Sequence, residues 1–318
     1  MKRRRALPPI AQRTVFLVAD ALAAGASREQ LRRDDLWSPT NGVLQYRDRP
    51  VDPQDVYRAY SRLTPQGCLS HTSAAHAWGI WLDRRFPPSY PVHVTRADDG
   101  RNPRRRNVVG HRALMGEQDL CEIEGIRLTT PARTWADLAG MGMTVQELVI
   151  AGDALLQRPD GPPRQPGLLG RNPLATLDEL HATLGRRDVP GLPLARKAVL
   201  LVRPGVDSAP ESFLRQLIVA AGYPEPWVNV PVVLPGGRTI LPDLQFRELR
   251  IAIQYEGGHH AGTDQIGKDI GRDFAFASSG WLTVKADRAI LHPEGRARFL
   301  ARLAHAFATR GVMLPTVA

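Results

Sequence analysis

The residues best suited to chemistry lie in one stretch near the carboxy terminus, Leu241 to His260, which reads LPDLQFRELRIAIQYEGGHH. Asp243, Gln254 and Glu256 offer oxygen donors, and His259 and His260 offer imidazoles. Hard oxygen donors suit Mg²⁺ or Mn²⁺. An imidazole titrates near neutral pH and can act as general base or as acid to a leaving group. Phosphodiester hydrolysis needs both, because charge must be neutralised at phosphorus and a water must be made nucleophilic. Asp243 is the first expected metal ligand and Glu256 the second. Glu211, further upstream, is expected to bind a second metal or orient a water. Arg272 and Lys285 are expected to brace the scissile phosphate.

The neighbouring pattern supplies elements to position these groups. Residues 239–246 and 249–256 alternate apolar and polar in strand fashion, with a short polar break at Arg247-Glu248 that suits a tight hairpin. Before them stand a helix from Ser208, capped by that serine and carrying Glu211 on its first turn, and a strand over 227–234. After them come a helix over 263–280, a strand over 281–286 and a last helix over 294–310. The expected order is α-β-β-β-α-β-α.

The chain has 318 residues, which suits about two domains or more. Its 42 Lys and Arg against 32 Asp and Glu leave a net charge of +10, which favours a polyanionic partner, nucleic acid first. Cys68 and Cys121 have neither metal-ligand nor disulfide-framework spacing. The basic, apolar start reads as a helix rather than a leader. No run of apolar residues is long enough to span a bilayer, so the expected compartment is the cytoplasm.

Residues 1–50 read as a winged-helix-like module. A helix is expected over 12–24, a second from a Ser27/Gln30 capping box, and a wing around Asn41-Gly42. Arg28, Arg32 and Arg33 would then lie near DNA phosphates. Residues 51–157 read as an α/β module. It has a helix over 70–82 in which His71 and His76 read as packing groups, a single strand over 123–128, and a helix after Thr130-Pro131 with an Arg133/Asp137 pair. Its basic hairpin carries Arg101, Arg104, Arg105 and Arg106, expected to touch a nucleic-acid backbone. Residues 158–204 read as a Pro/Gly-rich linker with bridging helices, and 205–318 as the carboxy-terminal domain. The fold class expected is α+β or α/β, with a mixed sheet flanked by helices in that last domain.

Two resemblances add to this reading. The run LSHTSAAHAWGIWL, the basic strand-loop-strand and IRLTTPARTWADLA resemble proteins whose amino-terminal half is similar to AbiEi-type antitoxins. That resemblance covers roughly 10–155 and implies DNA binding, autoregulation or a cognate toxin as partner. Residues 205–295 resemble the restriction-endonuclease-like PD-(D/E)xK fold, and within it the domain family related to Vsr, the very-short-patch-repair endonuclease. The matching motifs are Ser208 to Ser212, Pro224-Glu225-Pro226, Pro242-Asp243-Leu244, Gln254 to His259, Gln265 to Arg272, and Gly280-Trp281. This implies a Mg²⁺-dependent DNA endonuclease with Asp243, Glu256 and Glu211 as metal ligands. The third strand departs from the family pattern. It reads Gln-x-Glu where the general fold has Glu-x-Lys, so no lysine there can activate water. The outcomes left open are a one-metal, histidine-assisted nuclease, a slow nuclease, or a non-catalytic DNA-binding regulator.

Overall fold

The computed structural model describes residues 6–98, 100–162, 165, 168–186, 189–257, 271 and 274–312. The chain forms two compact units, Met1–Val202 and Arg203–Ala318. Both mix helices with strands.

The first unit opens on a small antiparallel sheet. β1 (Val15–Leu17) runs straight into α1 (Val18–Ala23); β2 (Leu36–Trp37) and β3 (Val43–Tyr46) follow, in the order β1-β3-β2. The helical period over 12–24 is therefore only partly realised. Val15 and Leu17 join the unit's main core, while Phe16 joins a smaller one with Leu36 and Leu44. Both faces of this segment are buried, and two-sided burial of branched and aromatic residues favours a strand over an amphipathic helix. The second expected helix is a single 3-10 turn, Gln30–Arg32. Its capping box does form: Ser27 N–H donates to Gln30 Oε1 at 2.8 Å, and Gln30 N–H to Ser27 Oγ at 3.1 Å.

Beyond α2 (Pro53–Arg62) come β4 (Gly67–Leu69), α3 (His71–Trp78), β5 (Val92–Arg96), β6 (Val108–Arg112), β7 (Leu120–Ile123) and β8 (Ile126–Thr129). The five strands form a sheet ordered β6-β5-β4-β8-β7. Two sequence expectations change here. The basic segment is not a hairpin, because β5 and β6 run parallel and the loop between them must travel back along the strand. It does so against Gly110, where a Cβ would stand 1.9 Å from Pro103 O. The strand expected over 123–128 is instead the hairpin β7/β8, turning at Glu124 (φ 54°) and Gly125 (φ 74°). That left-handed pair is the backbone a tight hairpin turn demands.

α4 (Pro131–Leu138) begins where Thr130-Pro131 predicts, and Arg133 Nε donates to Asp137 Oδ1 at 2.9 Å as expected. Trp135, fully buried, ties α4 to α5 (Val145–Leu155) by donating from Nε1 to Leu148 O at 2.9 Å. The Pro/Gly-rich stretch after α5 is no domain boundary. Leu169 is buried and its N–H bonds to Ala77 O at 2.9 Å, so the segment packs onto the first unit. α6 (Leu177–Thr183) and α7 (Leu192–Val199) complete the same core, and the units part only after Val202.

In the second unit, α8 (Ala209–Ala220) is capped by Ser208 as expected. The strand expected over 227–234 breaks at Asn229 (φ 48°) and Pro231 into β9 (Trp227–Val228) and β10 (Val232–Val233). The next one breaks at Pro242 into β11 (Thr239–Ile240) and β12 (Leu244–Phe246). A proline stands at both breaks, where it lacks the N–H a ladder needs and holds φ fixed. β13 (Ile251–Glu256) and β14 (Leu282–Asp287) complete a sheet ordered β14-β13-β12-β9, while β10 and β11 pair separately. α9 (Pro293–Thr309) closes the unit. One face of the sheet, with Leu244, Ile251, Ile253 and Val284, packs with Leu214 and Ile218 of α8 and Phe299 and Leu303 of α9. Ala252 on the opposite face packs with Phe276 and Trp281.

Candidate active site

Strand register decides which of the predicted site residues can meet. β12 and β13 are antiparallel with Leu244 opposite Ile253, so Asp243, one residue earlier, stands opposite Gln254. β13 and β14 are parallel with Gln254 beside Lys285 and Glu256 beside Asp287. Side chains two apart on a strand share a face, and so do directly paired residues. Asp243, Gln254, Glu256 and Lys285 therefore belong to the sheet face opposite the Ile251–Ile253 core. Asp243 is half-buried, and its Oδ2 accepts from Tyr255 N–H at 2.6 Å, which draws the carboxylate against β13 between Gln254 and Glu256. Gln254 is buried, and its Nε2 has no hydrogen-bond partner among the described residues. Glu256 is exposed at the strand end and pairs with Lys285 Nζ at 2.7 Å.

Glu211 meets this group through Asn229, which donates from its side chain to Glu211 at 2.8 Å and from its backbone N–H to Asp243 O at 3.0 Å. It is buried, and its Oε1 accepts from Ser208 Oγ at 2.7 Å. Its Oε2 accepts from Asn229 Nδ2 at 2.8 Å and from Asp207 N–H at 3.1 Å. Burial raises its pKa above the ordinary glutamate value, while the bonds from Asn229 and Ser208 oppose the rise. The three carboxylates expected as one ligand set, Asp243, Glu256 and Glu211, each have hydrogen-bond or ion-pair partners, and their oxygens do not all lie within 4.8 Å of one another. His259, His260 and Arg272 lie outside the described residues.

An open cleft of about 770 Å³ borders the pair Glu256–Lys285. It runs along β14 beneath α9 and is lined also by Asp287, Arg302 and His305. Arg302 Nη2 donates to Lys285 O at 2.9 Å, which fixes α9 to the strand that carries the lysine.

The expected DNA contacts divide by what they already touch. Arg28 and Arg32 are exposed, Arg28 in a turn and Arg32 at the end of the 3-10 turn Gln30–Arg32, and no helix long enough to lie in a groove carries them. Arg33 is committed to Asp35, bonding it from Nε at 2.9 Å and again from Nη2, and that pairing raises its pKa. Arg101, Arg104 and Arg106 are exposed on the β5–β6 loop, whereas Arg105 Nη1 donates to Asn41 O at 3.1 Å.

Two features escaped the sequence reading. Asn229 links Glu211 to the sheet and also donates to Gly205 O at 3.0 Å; it closes the PxPxxN pattern that begins at Pro224, and that was its available signal. In the first unit, His71, His93 and His111 form the one group of three His, Cys, Asp or Glu side chains among the described residues whose donor atoms lie within 4.8 Å of one another. The sequence suggests packing roles for both His71 and His76 on the helix. His76 bonds Phe86 O at 2.8 Å, and the actual neighbours of His71 come from β5 and β6.

Compared with protein-family models, with curated proteins and with solved structures, the chain gives no significant match.

Proposed function

We propose that the second unit is a Mg²⁺-dependent DNA endonuclease of the PD-(D/E)xK kind, similar to Vsr, and that basic segments of the first unit hold the DNA. The observation that carries this reading is the common face of Asp243, Gln254, Glu256 and Lys285, fixed by the registers of three adjacent strands. The donor set fits a hard cation, since Asp243 and Glu256 offer carboxylates. Gln254 can present its carbonyl oxygen by rotation of an amide whose Nε2 is buried without a partner among the described residues. Mg²⁺, when bound, supplies charge neutralisation at the phosphate and lowers the pKa of a water.

The chain's own groups have separate roles in this account. Asp243 holds the metal from the head of β12, kept in place by Tyr255 N–H. Glu256 is the second ligand, and Lys285, beside Gln254 in the register, turns its ammonium to the scissile phosphate. No lysine stands on β13 itself, so Lys285 on the adjacent strand is the cation nearest that position in the register. Glu211 is a positioning residue that fixes Asn229 and the end of β9. His259 or His260 would move the proton.

For DNA capture, the exposed Arg101, Arg104 and Arg106 are the strongest candidates, with Arg28 and Arg32 of the small amino-terminal module that carries the three-stranded sheet β1-β3-β2. The test is incubation of supercoiled plasmid with pure protein and Mg²⁺ or Mn²⁺, beside Asp243→Ala. Nicking that the substitution abolishes supports the reading.

A second reading is a non-catalytic DNA-binding regulator or antitoxin with a toxin protein as partner. It is favoured by the prior engagement of Glu256 by Lys285 and of Glu211 by three donors. Stable retardation of DNA carrying its own promoter, with no cleavage under any divalent metal, would select it.

A further inference from the structure

We propose that His71, His93 and His111 form a transition-metal site in the first unit, binding Zn²⁺ or a similar divalent ion through three imidazole nitrogens, independently of any Mg²⁺ in the second unit. Three separate elements converge to build it. His71 is the first residue of α3, His93 lies in the interior strand β5, and His111 lies in the edge strand β6. The parallel β5–β6 register places His93 opposite Val109 and Thr95 opposite His111, so both histidines project from one face.

The rings are already gathered. His71 and His111 stack with centroids 3.7 Å apart, and His93 lies 5.1 Å from His111 and 5.7 Å from His71. His93 Nδ1 and His111 Nε2 stand 2.9 Å apart. All three donor nitrogens lie within 4.8 Å of one another. A tetrahedral zinc with Zn–N bonds of about 2.0–2.1 Å needs nitrogens roughly 3.3 Å apart, so the His93–His111 pair at 2.9 Å would open slightly and the wider separations, up to 4.8 Å, would close by turning the rings.

The surroundings support ligation rather than simple packing. His71 has φ 49°, a left-handed conformation for a residue with a Cβ, and such strain is held where the surroundings over-determine it. Its Nδ1 lies 2.9 Å from Ser70 Oγ, which in turn accepts from Thr95 Oγ1 at 2.6 Å. In the tautomer with Nδ1–H donating to that hydroxyl, Nε2 is bare and can ligate, which is how an outer hydrogen bond orients a ligating imidazole. Ser73 Oγ accepts from His93 N–H at 2.9 Å and ties the start of α3 to β5. Burial lowers the pKa of all three histidines, and a neutral imidazole keeps one N–H and offers one lone-pair nitrogen to a metal. Imidazoles select zinc, cobalt, nickel or copper over magnesium. His71 and His93 are buried while His111 is only half-buried, so the fourth coordination position opens to water on the His111 side.

The full-length chain, free of any affinity tag and stripped with chelator, is titrated with Co²⁺ and then with Zn²⁺. The proposal expects visible cobalt ligand-field bands that saturate at one metal per chain and vanish as zinc displaces cobalt. Zinc also raises the thermal unfolding midpoint by mass action. His111→Gln and His93→Gln should each weaken zinc by at least ~100-fold, beyond the 10–100-fold typical of a lost outer-shell partner. His259→Gln/His260→Gln should bind as the wild type does. Absence of cobalt bands in the wild-type protein overturns the proposal whatever the variants do. So does binding that survives the His93 and His111 substitutions, or that is lost with His259 and His260.

Discussion

Asp243 Oδ2 accepts a hydrogen bond from Tyr255 N–H at 2.6 Å, so a side chain at the head of β12 takes the place of a ladder carbonyl for β13. Pro242 is the cause. It ends β11 and interrupts the strand, and Asp243 fills the gap from its own carboxylate. The same bond sets the site, because it brings an acidic group to the point where Gln254 and Glu256 leave the sheet. A charge-assisted bond to a backbone N–H is strong and directional. An asparagine at 243 would keep the acceptor and remove the charge, which separates the fold role from the proposed metal role.

Lys285 and Glu256 form a half-exposed ion pair, with side-chain exposures of 42% and 51%. Such pairs contribute about 0–1 kcal/mol. Lys285→Met should therefore shift the urea midpoint by little, while lowering plasmid cleavage by roughly 100-fold through loss of phosphate bracing. Chemical denaturation and cleavage rates on the same preparation make the comparison. A large loss of stability, or unchanged cleavage, would contradict the role given to the lysine.

Arg101, Arg104 and Arg106 are exposed on the β5–β6 loop. If they bind phosphates, replacing all three with alanine should flatten the dependence of log affinity on log salt by about 0.9 per lost contact. Fluorescence anisotropy on duplex DNA across a salt series reads this slope. An unchanged slope would remove the loop from the DNA surface.

Arg133 is buried beside Asp137 and Asp119, with Nη1 3.8 Å from Asp119 Oδ1, and Arg186 also binds Asp119. Removing one partner of a buried ion pair leaves uncompensated charge, at a cost of about 3–5 kcal/mol. Arg133→Met should destabilise the first unit by that amount in equilibrium unfolding. The double variant Arg133→Met/Asp137→Leu should recover part of it.

Local chemistry made much of this legible in the sequence. The Ser27/Gln30 box, the Pro131 start of α4, the Arg133–Asp137 pair, the Ser208 cap and the hairpin carrying Asp243 and Gln254 all rest on contacts within a few residues. Expectations failed where burial on both sides or a crossover decided the outcome. Val15 to Leu17 became a strand because Val43 and Leu44 pair with it from across the chain. The basic segment lost its hairpin because β5 and β6 are parallel. Asn229, eighteen positions from Glu211, bonds one of its oxygens, a contact that depends on the sheet. His93 and His111 could not be joined to His71 from spacing, because only the sheet brings them together.

The Mg²⁺ dependence of single-turnover DNA cleavage, measured for the wild type, Asp243→Asn and Glu256→Gln, tests the shared-cation account most directly. The account predicts a saturable Mg²⁺ requirement, a rate at least ~100-fold lower for Asp243→Asn at any Mg²⁺ concentration, and a requirement shifted at least ~10-fold upward for Glu256→Gln. A wild type that never cleaves, or variants that cleave with its rate and its Mg²⁺ requirement, would contradict it.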